Sequence, residues 1–181
     1  TDEVVVAVVD SGIANDHEFL KDKVQPTGFN SIDPDSDCYD DRGHGTHVAG
    51  IIAANTHDNV VIKPYKVLDD KGVGTELQVY LGIEQAVKDG ADIINLSLAA
   101  EGESQVMTDA VNNAVANDVN VVVAAGNSSK DLDKKYVCPA NIESAITVSA
   151  TDRNDNLASF SNYDGTIDIA APGTDIESSY L

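Results

Sequence analysis

Tryptophan is absent from this sequence, phenylalanine occurs three times and methionine once. A core of ordinary size must therefore be aliphatic, built from the Val, Ile, Leu and Ala that dominate the 42% apolar fraction. Basic residues are scarce, 11 against 31 acidic ones, giving a net charge of -20. That balance argues against nucleic acid and anionic membrane surfaces as partners. It fits a highly soluble protein in salty or extracellular surroundings, or simply a well-solvated surface. Only two cysteines occur, Cys38 and Cys138, far apart and in no metal-ligand spacing. They make no disulfide framework, and free thiols are expected, with a single bridge as the alternative. No apolar run approaches the ~18–20 residues of a membrane span. No signal segment precedes Val4, which says nothing about export in a trimmed or mature chain.

What is present is an alternation of short β-branched runs and longer amphipathic ones. Val4–Val9 is continuously apolar and ends in Asp10, as a strand buried on both faces does. Further strands are predicted over 60–68, 91–98, 120–125, 145–150 and 167–171. Helices are predicted from His44 through Asn55, from Thr75 or Glu76 to Asp89-Gly90, and from Ser104 to Asp118. Strand, helix, strand at these lengths implies right-handed crossovers. The fold class expected is α/β, three-layered, with a mostly parallel sheet and helices on both faces. Ligand sites of such sheets lie beyond the strand carboxyl ends. The runs deliver Asp10-Ser11-Gly12, Asn95-Leu96-Ser97-Leu98 and Ala124-Ala125-Gly126-Asn127 to that edge.

The stretch Asp41-Arg42-Gly43-His44-Gly45-Thr46-His47-Val48-Ala49-Gly50 organises the rest. His44 opens a helix thinned by Ala49, Gly50, Ala53 and Ala54. A helix N-terminus carries roughly +0.5 of a charge and disfavours imidazolium, leaving a neutral imidazole able to act as general base. Asp10 is costly to bury without a partner. It is a candidate to orient His44 Nδ1; a turn or cap role is the competing reading of Asp10 alone. Asn127 is either a turn residue or an amide aimed at a developing oxyanion. Ser97, Leu98 and Ala99, with Ala124, Ala125 and Gly126, would wall a slot for a substrate side chain. Gly72, Val73 and Gly74 would form an edge that pairs with extended peptide. His44 and His47, with Asp40 and Asp41 upstream, lack the spacing and third ligand of zinc helices, so no metal is assigned and His47 reads as packed. A nucleotide site is disfavoured because the turn after the first run, Asp10-Ser11-Gly12-Ile13-Ala14-Asn15, lacks a phosphate-cradling glycine pattern.

Taken together, these segments resemble the subtilisin-like serine peptidases. The matching pieces, in that family's order, are Val6-Ala7-Val8-Val9-Asp10-Ser11-Gly12, His44-Gly45-Thr46-His47-Val48-Ala49-Gly50, 67–74, Ile94-Asn95-Leu96-Ser97-Leu98, Val123-Ala124-Ala125-Gly126-Asn127 and Ile169-Ala170-Ala171-Pro172-Gly173. The resemblance implies that Asp10 is the triad aspartate, His44 its base and Asn127 the oxyanion-hole donor. It makes the Ser97 segment, 124–126 and Val137 the lining of an apolar specificity pocket. It also implies a cis bond before Pro139 and an extended peptide or protein as substrate.

Four departures qualify the match. The family's Gly-Thr-Ser motif is not found, and none of Ser128, Ser129, Ser159, Ser161, Ser178 or Ser179 stands in one. Residues 1–181 are thus expected to be an incomplete peptidase domain whose nucleophile lies beyond Leu181, inactive alone; a degenerate, non-catalytic peptide-binding module is the alternative. Such a piece should be marginal, dimeric or rearranged, associating through surface that the missing part would cover. Second, Ala99 replaces the usual glycine. Third, Phe19 takes the place of the calcium aspartate, so no cofactor is firm. Calcium is left the Asp33–Asp41 loop, with five Asp in nine residues, or carbonyls near Ala140, Ile142 and Ala145. Fourth, Glu76 replaces an aromatic in a distant subsite. An extracellular or cell-surface location follows from the family.

Overall fold

The computed structural model describes residues 2–181. In chain order the elements are β1 (Val4–Asp10), β2 (Phe29–Asn30), α1 (His44–Ala54), β3 (Val60–Lys66), α2 (Glu76–Lys88), β4 (Ile93–Leu96), β5 (Ala100–Glu101), α3 (Gln105–Ala116), β6 (Asn120–Ala124), β7 (Val137–Cys138), β8 (Ile146–Thr151) and β9 (Ile169–Pro172). Seven strands form one parallel sheet in the order β2-β3-β1-β4-β6-β8-β9. The short β5 and β7 pair antiparallel outside it. The α/β class and the six long strands agree with the sequence. The two-residue strands β2, β5 and β7 were not foreseen, being too short for any period to register.

The sheet is covered differently on its two faces. Alternate residues of β1 point to opposite sides. Ala7 and Val9 join Tyr65, Ile94, Leu96 and Val121 under α2 and α3 in the larger core. Val8 joins Ile62, Ile13, Leu20 and Ala49 under α1. In α2 the buried Val79, Gly82, Ile83 and Ala86 follow helical spacing. Its start is fixed by a capping box: Thr75 Oγ1 accepts from Gln78 N–H, and Gln78 Oε1 accepts from Thr75 N–H. Ser104 caps α3 on the Met107 N–H.

Within the sheet, helix α1 packs chiefly on β1 and β3. Beyond its edge the same sheet face is open. A groove of about 400 Å³ there is lined by Val48, Ile51, Val122, Ala124, Val148 and Ala150. The chain end returns along the outside of α1: Ser178 Oγ donates to His47 O at 2.7 Å, and His47 Nε2 lies 3.2 Å from Ile176 O. Gly50 admits this crossing, since a Cβ there would stand 2.3 Å from Ser178 Oγ. Both cysteines are free and buried, and Cys138-Pro139 is cis. Burial pushes the Cys138 thiol up to about 11 and raises Cys38 as well, so both are inert packing groups. Among the described residues no helix is long and apolar enough to cross a membrane.

Candidate active site

Strand β1 lies where the sheet reverses its winding, with β3 and β2 to one side and β4, β6, β8 and β9 to the other. A doubly wound sheet leaves its crevice at that point, beyond the carboxyl ends. Asp10 terminates β1 there, wholly buried. The first residue of α1 meets it: His44 Nδ1 lies 2.8 Å from Asp10 Oδ1 and 2.9 Å from Oδ2. Ser11 N–H donates to Asp10 Oδ1 at 2.7 Å, fixing the carboxylate from behind. The imidazole is half exposed, at 51%, against 0% for its carboxylate. No hydrogen bond joins His44 Nε2 to any described residue.

Helix α1 has no side-chain cap at Gly43. Its orphan N–H groups are met instead by two buried residues outside it. Asp40 accepts from Arg42 N–H, Gly43 N–H and Ser11 Oγ–H on Oδ1, and from Thr46 N–H and Oγ1–H on Oδ2. Ser11 Oγ accepts from Gly45 N–H at 3.0 Å. Gly45 is held so close to β1 that a Cβ would stand 2.1 Å from Gly12 O. The residue after Asp10 and the residue four before His44 are thus one hydrogen-bonded unit.

Charge at the site follows from these contacts. Burial alone would raise Asp40, but its bonds from Thr46, Gly43 and Arg42 outweigh that and hold it below the usual carboxylate range. His44 is raised above ordinary imidazole, chiefly by its hydrogen bond to Asp10, against an opposing push from burial. The direction is opposite to the one expected from the helix N-terminus, which disfavours imidazolium. A carboxylate in contact outweighs a half-charge spread over N–H groups that Asp40 and Ser11 already engage. An imidazole held in this way can accept a proton at Nε2, with Asp10 placed to balance the imidazolium that would form.

Two hollows flank the pair. One of about 420 Å³ is lined by His44, Arg42, Gly72, Val73, Gly74, Leu98, Ala99 and Ser97, with Glu76 and Lys71 on its rim. The other is the open groove, which contains Ala124, Ala125, Gly126 and Asn127. Ser97 lines both. The two expected slot walls therefore fall in adjoining hollows rather than in one. Val137 is buried behind them, in a small cluster with Leu132 and Ala140. Residues 72–74 are a loop, not a strand edge: Asp69 holds it through Val73 O, Val73 N–H and Gly72 N–H. Neither the Gly72 carbonyl nor the Gly74 N–H has a backbone partner among the described residues, which leaves both for an added strand. Gly74 must be glycine, because a Cβ would lie 2.1 Å from Val67 O.

Asn127 is exposed, and its amide bonds to no described residue. The loop behind it is fixed by Asn162, which is 1% exposed. Asn162 Nδ2 donates to Ala125 O, and its Oδ1 accepts from Ser128 N–H and Lys130 N–H. Gly126, at φ 101°, would place a Cβ 2.5 Å from Asn162 Nδ2.

The acidic loop is used internally. Asp33 binds Ser36, Asp37 binds Tyr39 N–H, Asp40 serves α1 and Asp41 pairs with Lys66. Ala140 O accepts two hydroxyls, from Thr147 and Thr166. Phe19 is solvent-exposed at 74%. The three-carboxylate cluster among the described residues is Asp131, Asp133 and Asp164, outside the Asp33–Asp41 loop but beside Leu132, which packs against Ala140, and Lys134 already pairs with Asp131.

Sequence reasoning missed Ser11, Asp40, Thr46, Lys66 and Asn162 as parts of this site. None carried a local signal: Lys66 shares its strand with Lys63, and the roles of the others depend on partners far away in sequence.

Comparison with known proteins bears on the family and the fold. The Subtilase family profile matches residues 1–181. The chain is 39% identical to subtilisin DY of Bacillus licheniformis over 186 residues, covering 98% of this chain and 67% of that protein. It is 39% identical over 178 residues to the extracellular serine proteinase of Thermus sp. strain Rt41A, covering 96% of this chain and 42% of that one. A crystal structure of a cold adapted subtilisin-like serine proteinase superposes with a TM-score of 0.92 at 34% identity, covering 99% of this chain and 66% of that chain. The chain thus spans between 42% and 67% of the length of these relatives.

Proposed function

We propose, from the premise that this chain belongs to the subtilase family, that it supplies the acid–base pair and oxyanion donor of a serine endopeptidase whose nucleophile lies beyond Leu181. The observation that carries this is the two-oxygen contact of buried Asp10 with His44 Nδ1, at 2.8 and 2.9 Å, which leaves Nε2 facing the cleft. In the complete enzyme His44 Nε2 takes the serine proton as Oγ attacks the scissile carbonyl, then gives it to the leaving amine. Asp10 keeps the proton-bearing Nδ1 toward itself and stabilises the imidazolium. The Asn127 amide donates to the oxyanion; loss of such a donor costs about 10²–10³-fold in turnover, a magnitude established for subtilisin's own asparagine rather than derived from this structure. Substrate lies extended against Gly72–Gly74, with an apolar side chain near 124–126. Residues 1–181 alone do not cleave peptide bonds by this route. The open groove is the face that the nucleophile-bearing segment covers, and without it two copies associate there. An extracellular setting accords with the acidic surface and with the family.

A fluorophosphonate probe tests the assignment. A polypeptide continuing past Leu181 is expected to label at one serine, and His44→Ala to abolish the label. Labelling that survives His44→Ala removes His44 as the base. The Gly72 carbonyl and Gly74 N–H, without backbone partners among the described residues, also suit a peptide-binding module without catalysis. Peptide binding without label in the longer polypeptide selects that reading.

A further inference from the structure

One buried charge near the site has no part in the chemistry above. Lys66 ends β3 in register with Asp10 on β1. Its side chain is 7% exposed, and its ammonium donates to Ser11 O at 2.6 Å and to Asp41 Oδ1 at 2.7 Å. Asp41 is itself 55% exposed, so the ion pair is a poor return for burying a cation. An apolar chain of equal length would fill the same space at less desolvation cost. What an apolar chain cannot do is hold two backbone segments at once.

Those two segments are the ones that carry the acid–base pair. Ser11 O belongs to the residue whose N–H fixes Asp10 and whose hydroxyl serves Gly45 N–H at the start of α1. Asp41 lies three residues before His44, next to the Asp40 that caps the same helix. We propose that Lys66 is a positioning residue: its ammonium ties the end of β1 to the approach of α1 and so sets the contact between Asp10 and His44 Nδ1. The ammonium reaches no substrate and moves no proton. It acts through Ser11 and Asp41, and its catalytic meaning rests on the proposed peptidase reading, although the geometry does not.

The test uses the 181-residue chain and needs no activity. Proton NMR reads the His44 Nδ1–H resonance, which stands far downfield while the proton is held by the carboxylate. Amide exchange at Gly45 reads the Ser11 contact. Lys66→Met is expected to keep a denaturation midpoint close to that of the parent chain while losing the downfield resonance and speeding Gly45 exchange about tenfold. Lys66→Arg, which keeps charge and donors, is expected to restore the resonance. A folded Lys66→Met chain with both signals unchanged overturns the proposal and leaves Lys66 a packing residue. If Lys66→Met does not fold, Asp41→Ala decides: a broadened resonance supports the tie and an unchanged one overturns it. A longer polypeptide that never labels with fluorophosphonate would remove the peptidase reading without touching these signals.

Discussion

Helices α1 and α2 begin in opposite ways. Helix α2 opens on Thr75 and Gln78, two residues of its own sequence that satisfy each other's backbone. Helix α1 opens on a glycine with no side-chain cap, and its first N–H groups go to Asp40 and to Ser11, which is 34 positions from its partner Gly45. The local cap stabilises its helix wherever that helix sits. The remote one stabilises α1 only when Asp10 and His44 face each other, so for α1 the cap and the site geometry are one interaction set.

Several changes would break or sharpen that contrast. The largest effect is expected at Asp40→Ala, which leaves the Thr46, Gly43 and Arg42 donors unmet; it should cost about 3–5 kcal/mol, read from the urea midpoint. An unchanged midpoint would mean that α1 is held by packing alone. Next is Gly45→Ala, whose methyl must displace Gly12 O; about 1–3 kcal/mol is expected, with loss of the His44 Nδ1–H resonance. Thr75→Ala should cost only ~1 kcal/mol and leave that resonance untouched. Mildest is pH. Asp40 is lowered in the folded chain, so its contribution is full above the ordinary carboxylate value of 3.8 and lost as pH falls through its folded value. Amide exchange at Gly43 and Thr46 should then rise while exchange at Gln78, capped by a hydroxyl, keeps its ordinary pH dependence. His44 runs the other way: raised in the fold, it stabilises fully below 6.5 and loses that contribution as pH climbs through its folded value.

Local signals explain what was readable. The apolar runs of β1 and β6 and the amphipathic runs of α2 and α3 each lie within a short stretch of chain, and the parallel sheet follows from their order. Asp10 and His44 stood out because each breaks its surroundings, a carboxylate closing an apolar run and a histidine between glycines. The partners that fix them did not. Asp40 looked like one acid among five, and its role depends on where Thr46 and Ser11 arrive in space. Asn162 lies 35 positions from Asn127 and joins its loop only when β8 pairs with β6. The direction of the His44 shift was misjudged because helix charge was weighed without the carboxylate in contact.

The return of the chain end over α1 bears on how the molecule is assembled. His47 meets Ile176 across 129 positions and Ser178 across 131. Contacts between such distant residues close late, because the intervening loop entropy must be met first. As the polypeptide leaves the ribosome, β1, β3 and α2 can dock while α1 still lacks its outer strap. Pulse-labelled exchange should find the His47 backbone protected late, so the histidine-bearing helix is secured only once residues 176–178 have emerged.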